Sequence, residues 1–280
     1  MARDGIGRNL EGKRLLITGG GTGIGAATAE LAAARGMRVM VTGRRLEPLE
    51  AVVDRIRSGG GEALHHVGDV AGDQASEAAL EAIRSSWGGV DAVFANAGYG
   101  IEKPVLETDD EDLRRIFEVN LFAAVDLLRQ SGRMMRQEGA PGHLLGCSSI
   151  LGKFTLPGYG LYSSTKAALT HVCRSMRTEL AGSGIAVSTV HPVTTRTEFF
   201  DVAMQRSGQG HGPDLRSDGT PRHAPRVFIQ PPERVARAVI RCLRRPRAEV
   251  WTTFSGRLAN GVFELVPPIY EFMLRNAGKA

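Results

Sequence analysis

From Lys13 to Pro192, short apolar runs alternate with stretches of helical length, and few folds accept that pattern. KRLLITG (13–19), MRVMVTG (37–43), EALHHVGDV (62–70), VDAVFANAG (90–98), HLLGCSS (143–149) and IAVSTVHP (185–192) read as strands. Helices are predicted over 24–36, 46–58, 73–87, 109–119, 121–138 and 160–181. Strands separated by helices of this length build βαβ units, hence a parallel sheet with helices on both faces. The expected fold is α/β: a single Rossmann-type doubly wound domain over residues 1–280, with about seven strands and ligands at their carboxyl ends.

Beyond the sixth strand the pattern loosens. Residues 197–205 suit a short helix, whereas 207–225 are rich in glycine, proline and polar residues without periodicity. That stretch reads as a mobile loop, either a lid over the site or a plain insertion. A proline-initiated helix over 231–243 and a strand over 248–252 follow. Region 197–228 is the expected substrate loop and 257–280 a C-terminal tail whose apolar residues pack on the domain, cover the pocket, meet a second subunit or touch a membrane.

Composition excludes several classes. Hydrophobic residues make up 42% and charged residues 23%, ordinary globular usage. No apolar run approaches the ~20 residues of a membrane span, and the polar N-terminus has no signal-peptide core, so a cytoplasmic location is expected. Cys147, Cys173 and Cys242 are odd in number and widely spaced, which suits reduced packing residues and neither a disulfide framework nor a metal site. The net charge of +5 comes from 30 arginines against 5 lysines, scattered over helical segments apart from RCLRRPR (241–247). No nucleic-acid-binding signature accompanies them, so no nucleic-acid partner is expected.

TGGGTGIG (18–25) joins the first strand to the first helix, the context in which a glycine loop cradles phosphate. Gly19 permits the tight turn, Gly23 lets backbone approach a pyrophosphate, and Gly25 lets helix and strand pack closely. Gly21, Thr22 and Ile24 complete the candidate cradle, with the N–H groups near Ile24 aimed at the anion. The second strand ends in Gly43, Arg44 and Arg45, where an acid would bind the ribose hydroxyl of NAD. A guanidinium there suits a 2′-phosphate, so NADP(H) is expected in preference to NAD(H). Arg44 is the principal candidate, and Arg45 either joins it or is solvated.

YSSTK places Tyr162 and Lys166 four residues apart on one helix face. A tyrosine pKa of about 10 makes a poor base at neutral pH, and a neighbouring ammonium lowers it. Tyr162 then becomes a candidate general acid/base. Ser148 and Ser149 end the fifth strand, Asn96 ends the fourth, and Asn120 interrupts the apolar string FEVNLFAAV, where a buried amide needs partners.

Read in order, TGGGTGIG, GDV, ANAG, VNL, SSILG and YSSTK resemble the motifs of the short-chain dehydrogenase/reductase family over residues 13 to 200. The resemblance implies that Tyr162 exchanges a proton with the substrate oxygen and that Lys166 depresses its pKa and bonds the nicotinamide ribose. It further implies that Ser149 polarises the substrate and that Asn120 holds the water of a proton relay. Asp69 and Val70 would contact adenine, and Asn96, Ala97 and Gly98 would line the adenosine ribose. Pro192, Val193, Thr195 and Thr197 would flank the nicotinamide. Val193 stands where the family usually has glycine, which implies a narrower pocket; Thr22 stands where some NADP-using relatives carry a basic residue. Extended C-termini loosely resemble those of members acting on steroids and retinoids, which implies a bulky apolar substrate. The chain is thus expected to be an NADP(H)-dependent oxidoreductase interconverting a carbonyl and an alcohol, and a homodimer or homotetramer. The alternatives are an NAD-dependent alcohol dehydrogenase and a non-catalytic dinucleotide-binding regulator.

Overall fold

Leu15, Leu16 and Ile17 are all fully buried, so the first strand needs cover on both faces. A computed structural model, describing residues 5–208, 210–222 and 224–265, supplies it. The strands are β1 (Arg14–Thr18), β2 (Arg38–Gly43), β3 (Glu62–Val67), β4 (Ala92–Ala95), β5 (Gly142–Cys147), β6 (Ile185–His191) and β7 (Glu249–Trp251). The helices are α1 (Gly23–Ala33), α2 (Leu46–Ser58), α3 (Ala75–Trp87), α4 (Asp110–Phe117), α5 (Ala123–Gln137), α6 (Gly160–Glu179), α7 (Phe199–Ser207), α8 (Pro232–Arg244) and α9 (Phe254–Leu265).

The strands form one parallel sheet in the order β3-β2-β1-β4-β5-β6-β7. Alternation along β1 divides the core. Leu15 and Ile17 join apolar residues of α1, α2 and α8, while Leu16 joins those of α3, α5 and α6. The alanines of α1 (Ala26, Ala29, Ala32 and Ala33) are buried, and their small side chains let α8 pack directly on α1. Strand order reverses between β1 and β4. The loops leaving these two strands therefore part, and a crevice opens at the carboxyl edge of the sheet.

Several boundaries differ from the sequence reading. β3 stops at Val67 and β4 at Ala95, so Gly68–Val70 and Asn96–Gly98 are crevice loops and not strand. The two helices expected over 109–119 and 121–138 are one continuous rod in which Glu118–Phe122 forms a single wide turn. The extra residue in that turn leaves Asn120 fully buried and bonded to the Tyr99 backbone in both directions. Within the 207–225 stretch, which lacks periodicity, one turn is closed by a side chain. The Arg216 guanidinium donates to the carbonyls of Pro221, Arg222 and Ala224. Part of the expected tail is helical, since α9 starts at Phe254. Val266, Ile269, Tyr270, Phe272, Met273 and Leu274 lie outside the described residues. All three cysteines are free and buried. Among the described residues no helix is long and apolar enough to cross a membrane.

At the opposite edge of the sheet, Asp91 ties β4 to β1. Its Oδ2 accepts from the Arg14 backbone N–H at 2.8 Å and from Arg14 Nε at 2.7 Å. Burial alone would raise the Asp91 carboxyl, but these bonds outweigh it and hold the pKa below the usual value. Asp91 therefore stabilises the fold above about pH 4, and the contribution disappears as pH falls through the lowered native value. Asp91→Asn is expected to cost about 1.5–3 kcal/mol at pH 7 and much less at pH 3, as measured by urea denaturation.

Candidate active site

Glycine is required in the β1–α1 loop for two separate reasons. Gly19 has φ +63°, and a Cβ there would lie 2.9 Å from the Ala97 Cα. At Gly25 a Cβ would lie 2.1 Å from the Gly19 carbonyl oxygen, so the helix start and the turn could not meet. Gly23, with φ +54°, lies beside Thr197, whose Cγ2 would be 2.8 Å from a Cβ at that position. Thr22 caps α1 without a side-chain hydrogen bond, and the first turn carries no acidic residue. The helix start thus keeps donors and positive potential for an anion, and the loop fits a phosphate-bearing cofactor.

The loop lies at one end of a cleft of about 730 Å³. Gly19, Gly21, Thr22, Gly23 and Ile24 line it, as do Arg44, Arg45, Asp69, Val70, Asn96, Ala97 and Gly98. Ser149, Tyr162, Lys166, Pro192, Val193, Thr195 and Thr197 line the rest. Gly25 and Asn120 are not among the lining residues and act from behind. Arg44 is exposed on the cleft wall just past β2, whereas Arg45 forms a 2.6 Å ion pair with Glu198 across the crevice. Asp69 accepts from Ala71 N–H and pairs with Arg115. Burial raises the Asp69 carboxyl, but these partners prevail and leave it below its usual value. Arg115 was not found by the sequence reading, because nothing in DEDLRRIF marks one arginine from the other. Asn96 lines the cleft, but its amide is committed to the carbonyls of Thr18 and Gly19.

Tyr162, Lys166 and Ser149 meet at the inner end. α6 presents Tyr162 and Lys166 on its buried face, and Ser149 follows β5. Lys166 Nζ lies 5.7 Å from the Tyr162 ring centroid and donates to the Cys147 carbonyl at 3.0 Å. Burial dominates and raises the Tyr162 phenol above its ordinary value, with the Ser149 hydroxyl acting in the opposite sense. Burial also lowers Lys166. Gly98 is what allows Asn120 and Lys166 to converge, since a Cβ there would be 2.9 Å from Asn120 Oδ1 and 3.1 Å from Lys166 Nζ. Ser148 is turned away, donating to the Lys166 carbonyl and bonding Thr170.

The segment after β6 is held from outside the sheet. Thr195 Oγ1 donates to the Val193 carbonyl and accepts from Gln230 Nε2. Val193 is buried against α9, where a Cβ on Gly256 would be 2.9 Å from Val193 Cγ1. The larger side chain at this position therefore fills the junction with α9. Gln230 was another residue without a sequence signal, because its partners are Thr195 in the post-β6 segment and Thr252 just after β7. Gly25→Ala is expected to force the loop outward at about 1–3 kcal/mol in stability. It should also abolish dinucleotide binding, measured by calorimetric titration beside a thermal melt.

Comparison with known proteins agrees with this geometry. Residues 13–207 match the family model for short chain dehydrogenases. The fatty acyl-CoA reductase of Mycobacterium tuberculosis is 31% identical over 203 residues, covering 69% of this chain and 68% of that protein. A short-chain dehydrogenase/reductase from Burkholderia phymatum, solved with NAD, superposes with a TM-score of 0.80 at 24% identity, covering 92% of this chain and 96% of that one. L-Sorbose reductase from Gluconobacter frateurii, solved with NADPH and L-sorbose, gives 0.75 at 25% identity, covering 88% and 97%. With its motifs assembled in one cleft and a family match over most of its length, the chain belongs to the short-chain dehydrogenase/reductase family of oxidoreductases.

Proposed function

We propose that the protein is an NADP(H)-dependent reductase that converts a carbonyl to an alcohol. The observation carrying this is the convergence of Ser149, Tyr162 and Lys166 at the inner end of a cleft whose outer end holds the glycine loop and Arg44. A bound nicotinamide supplies the hydride. The chain supplies the proton and the positioning. Tyr162, its phenol kept protonated by burial, donates from Oη to the substrate oxygen. Ser149, whose hydroxyl lines the same cleft, holds that oxygen in place. Lys166 and Asn120, facing each other across Gly98, stand ready to restore the proton. The reverse reaction uses the same groups in the opposite sense.

Arg44 supports NADP(H), offering a fixed charge to a 2′-phosphate while Arg45 is paired with Glu198. The inner cleft supports a bulky apolar substrate. Leu151, Phe154, Leu156, Phe199, Phe200, Phe228 and Phe263 line it, and the Phe154 and Phe263 rings meet edge-on. Residues 197–228 are thus the substrate loop region, and a long acyl chain is what the name of the mycobacterial relative denotes.

NADPH is expected to bind more tightly than NADH in a fluorescence titration. Arg44→Asp should remove about tenfold to hundredfold of the NADPH affinity. Preference for NADH in the wild type would overturn the cofactor reading. Tyr162→Phe is expected to lower kcat by about 10²–10⁴ with NADPH binding retained. Ultraviolet titration of the free protein against this variant should show no phenolate from Tyr162 below about pH 10. A phenolate appearing near neutral pH would mean that Lys166, and not burial, sets the proton.

A further inference from the structure

Glu102 and Tyr159 take no part in the proton transfer above, yet both line the inner cleft. Tyr159 Oη donates to Glu102 Oε2 at 2.5 Å. Burial raises the Tyr159 phenol and the adjacent carboxylate raises it further, so Tyr159 keeps its proton and the bond runs one way. The Tyr159 ring meets the Tyr162 ring edge-on, with centroids 6.5 Å apart. The Glu102 carboxylate therefore stands one ring beyond the proton-donating phenol.

The backbone that carries the carboxylate is anchored on both sides. The Glu102 N–H donates to Ser207 Oγ at 2.9 Å, and its carbonyl accepts from the Gly212 N–H at 3.1 Å. Gly158, with φ +80°, backs onto the side chain, and a Cβ there would be 3.0 Å from Glu102 Cγ. No cation among the described residues forms an ion pair with it. Neighbouring Lys103 pairs with Asp109 and Asp112, and Arg206 lies over the Tyr99 ring at 5.4 Å. Glu102 Oε1 accepts no hydrogen bond from the described residues. Leu156, Pro157 and Phe199 line the same cleft and carry no hydrogen-bond donor on their side chains. An acceptor so placed is completed by a donor that arrives with the ligand.

We propose that Glu102 and Tyr159 form a subsite for a hydrogen-bond donor of the substrate, a hydroxyl or a protonated amine carried away from the carbonyl that is reduced. The inference rests on the carbonyl-reductase reading and narrows it. The substrate has an apolar body that fills the aromatic cleft and a donor at its remote end, and a carboxylate at that end is rejected by like charge.

The test uses aldehydes of one chain length ending in methyl, hydroxyl, ammonium or carboxylate. Each is titrated calorimetrically onto the protein loaded with NADP⁺, which cannot reduce the aldehyde, and then assayed with NADPH. The hydroxyl or ammonium member is expected to bind about tenfold or more tightly than the methyl member, and the carboxylate member most weakly. Glu102→Leu should erase this order. Glu102→Gln, which preserves shape and one acceptor, should retain hydroxyl binding and lose ammonium binding, which separates the two donors. Absence of discrimination in the wild type, or discrimination that survives Glu102→Leu, overturns the subsite. Failure of the wild type to bind NADP⁺ or to consume NADPH with any member would instead overturn the oxidoreductase reading beneath it.

Discussion

Four hydrogen bonds between the ends of β1 and β4 hold the crevice to one shape. Thr18 Oγ1 accepts from the N–H groups of Asn96 and Ala97, at 3.0 and 3.1 Å. The Asn96 amide donates in return to the carbonyls of Thr18 and Gly19, at 3.0 and 3.2 Å. These are the two strands at which the sheet reverses its order, so nothing in the ladder itself continues past their ends. Without this clasp the glycine loop and the Gly98 loop would be free to move apart. With it, the Gly19 carbonyl has a fixed position, Gly25 packs against it, and the start of α1 points across the cleft.

A second set of contacts carries that rigidity inward. Gly98 leaves room for Asn120 and Lys166 to face each other, and Asn120 is fixed by the Tyr99 backbone. The Lys166 carbonyl accepts from Ser148, and its ammonium donates to the Cys147 carbonyl, so β5 and α6 are joined at the point where Ser149 and Tyr162 emerge. Beneath Ser149, the buried His191 bonds the Ser149 carbonyl through Nδ1 at 3.1 Å and stacks on Trp251. Burial pushes the His191 pKa down to about 4, which keeps the ring neutral across the physiological range. The reacting groups thus sit on rigid elements, braced from behind by side chains that do not reach the cleft. That arrangement gives preorganisation without strain in the backbone at Ser149 or Tyr162.

Much of this was legible in the residues. The alternation of apolar runs and helices needs only local periodicity, and each run proved to be a strand, the central ones covered on both faces. The glycine loop was legible because Gly19 and Gly25 answer steric demands that no other side chain meets. Tyr162 and Lys166 were legible because a spacing of four on a helix fixes a shared face. The wide turn at Asn120 was not, since its cause is the backbone of Tyr99, which reaches it through the fold. Nor was the turn at Arg216, which depends on a guanidinium returning to carbonyls five to eight residues away.

What the sequence determined by itself was the class of fold, the order of its elements and the chemical identity of the groups at the site, because each depends on neighbours within a few residues. The tertiary structure alone decided how those groups are spent. Arg45 is paired with Glu198, the Asn96 amide is turned into the clasp, and Val193 packs on α9. It decided also how deeply the Tyr162 phenol is buried, which raises its pKa. A pKa is set by total burial and by every nearby dipole and charge, and those are assembled from β5, α6 and the cleft wall, which meet only once the chain has folded.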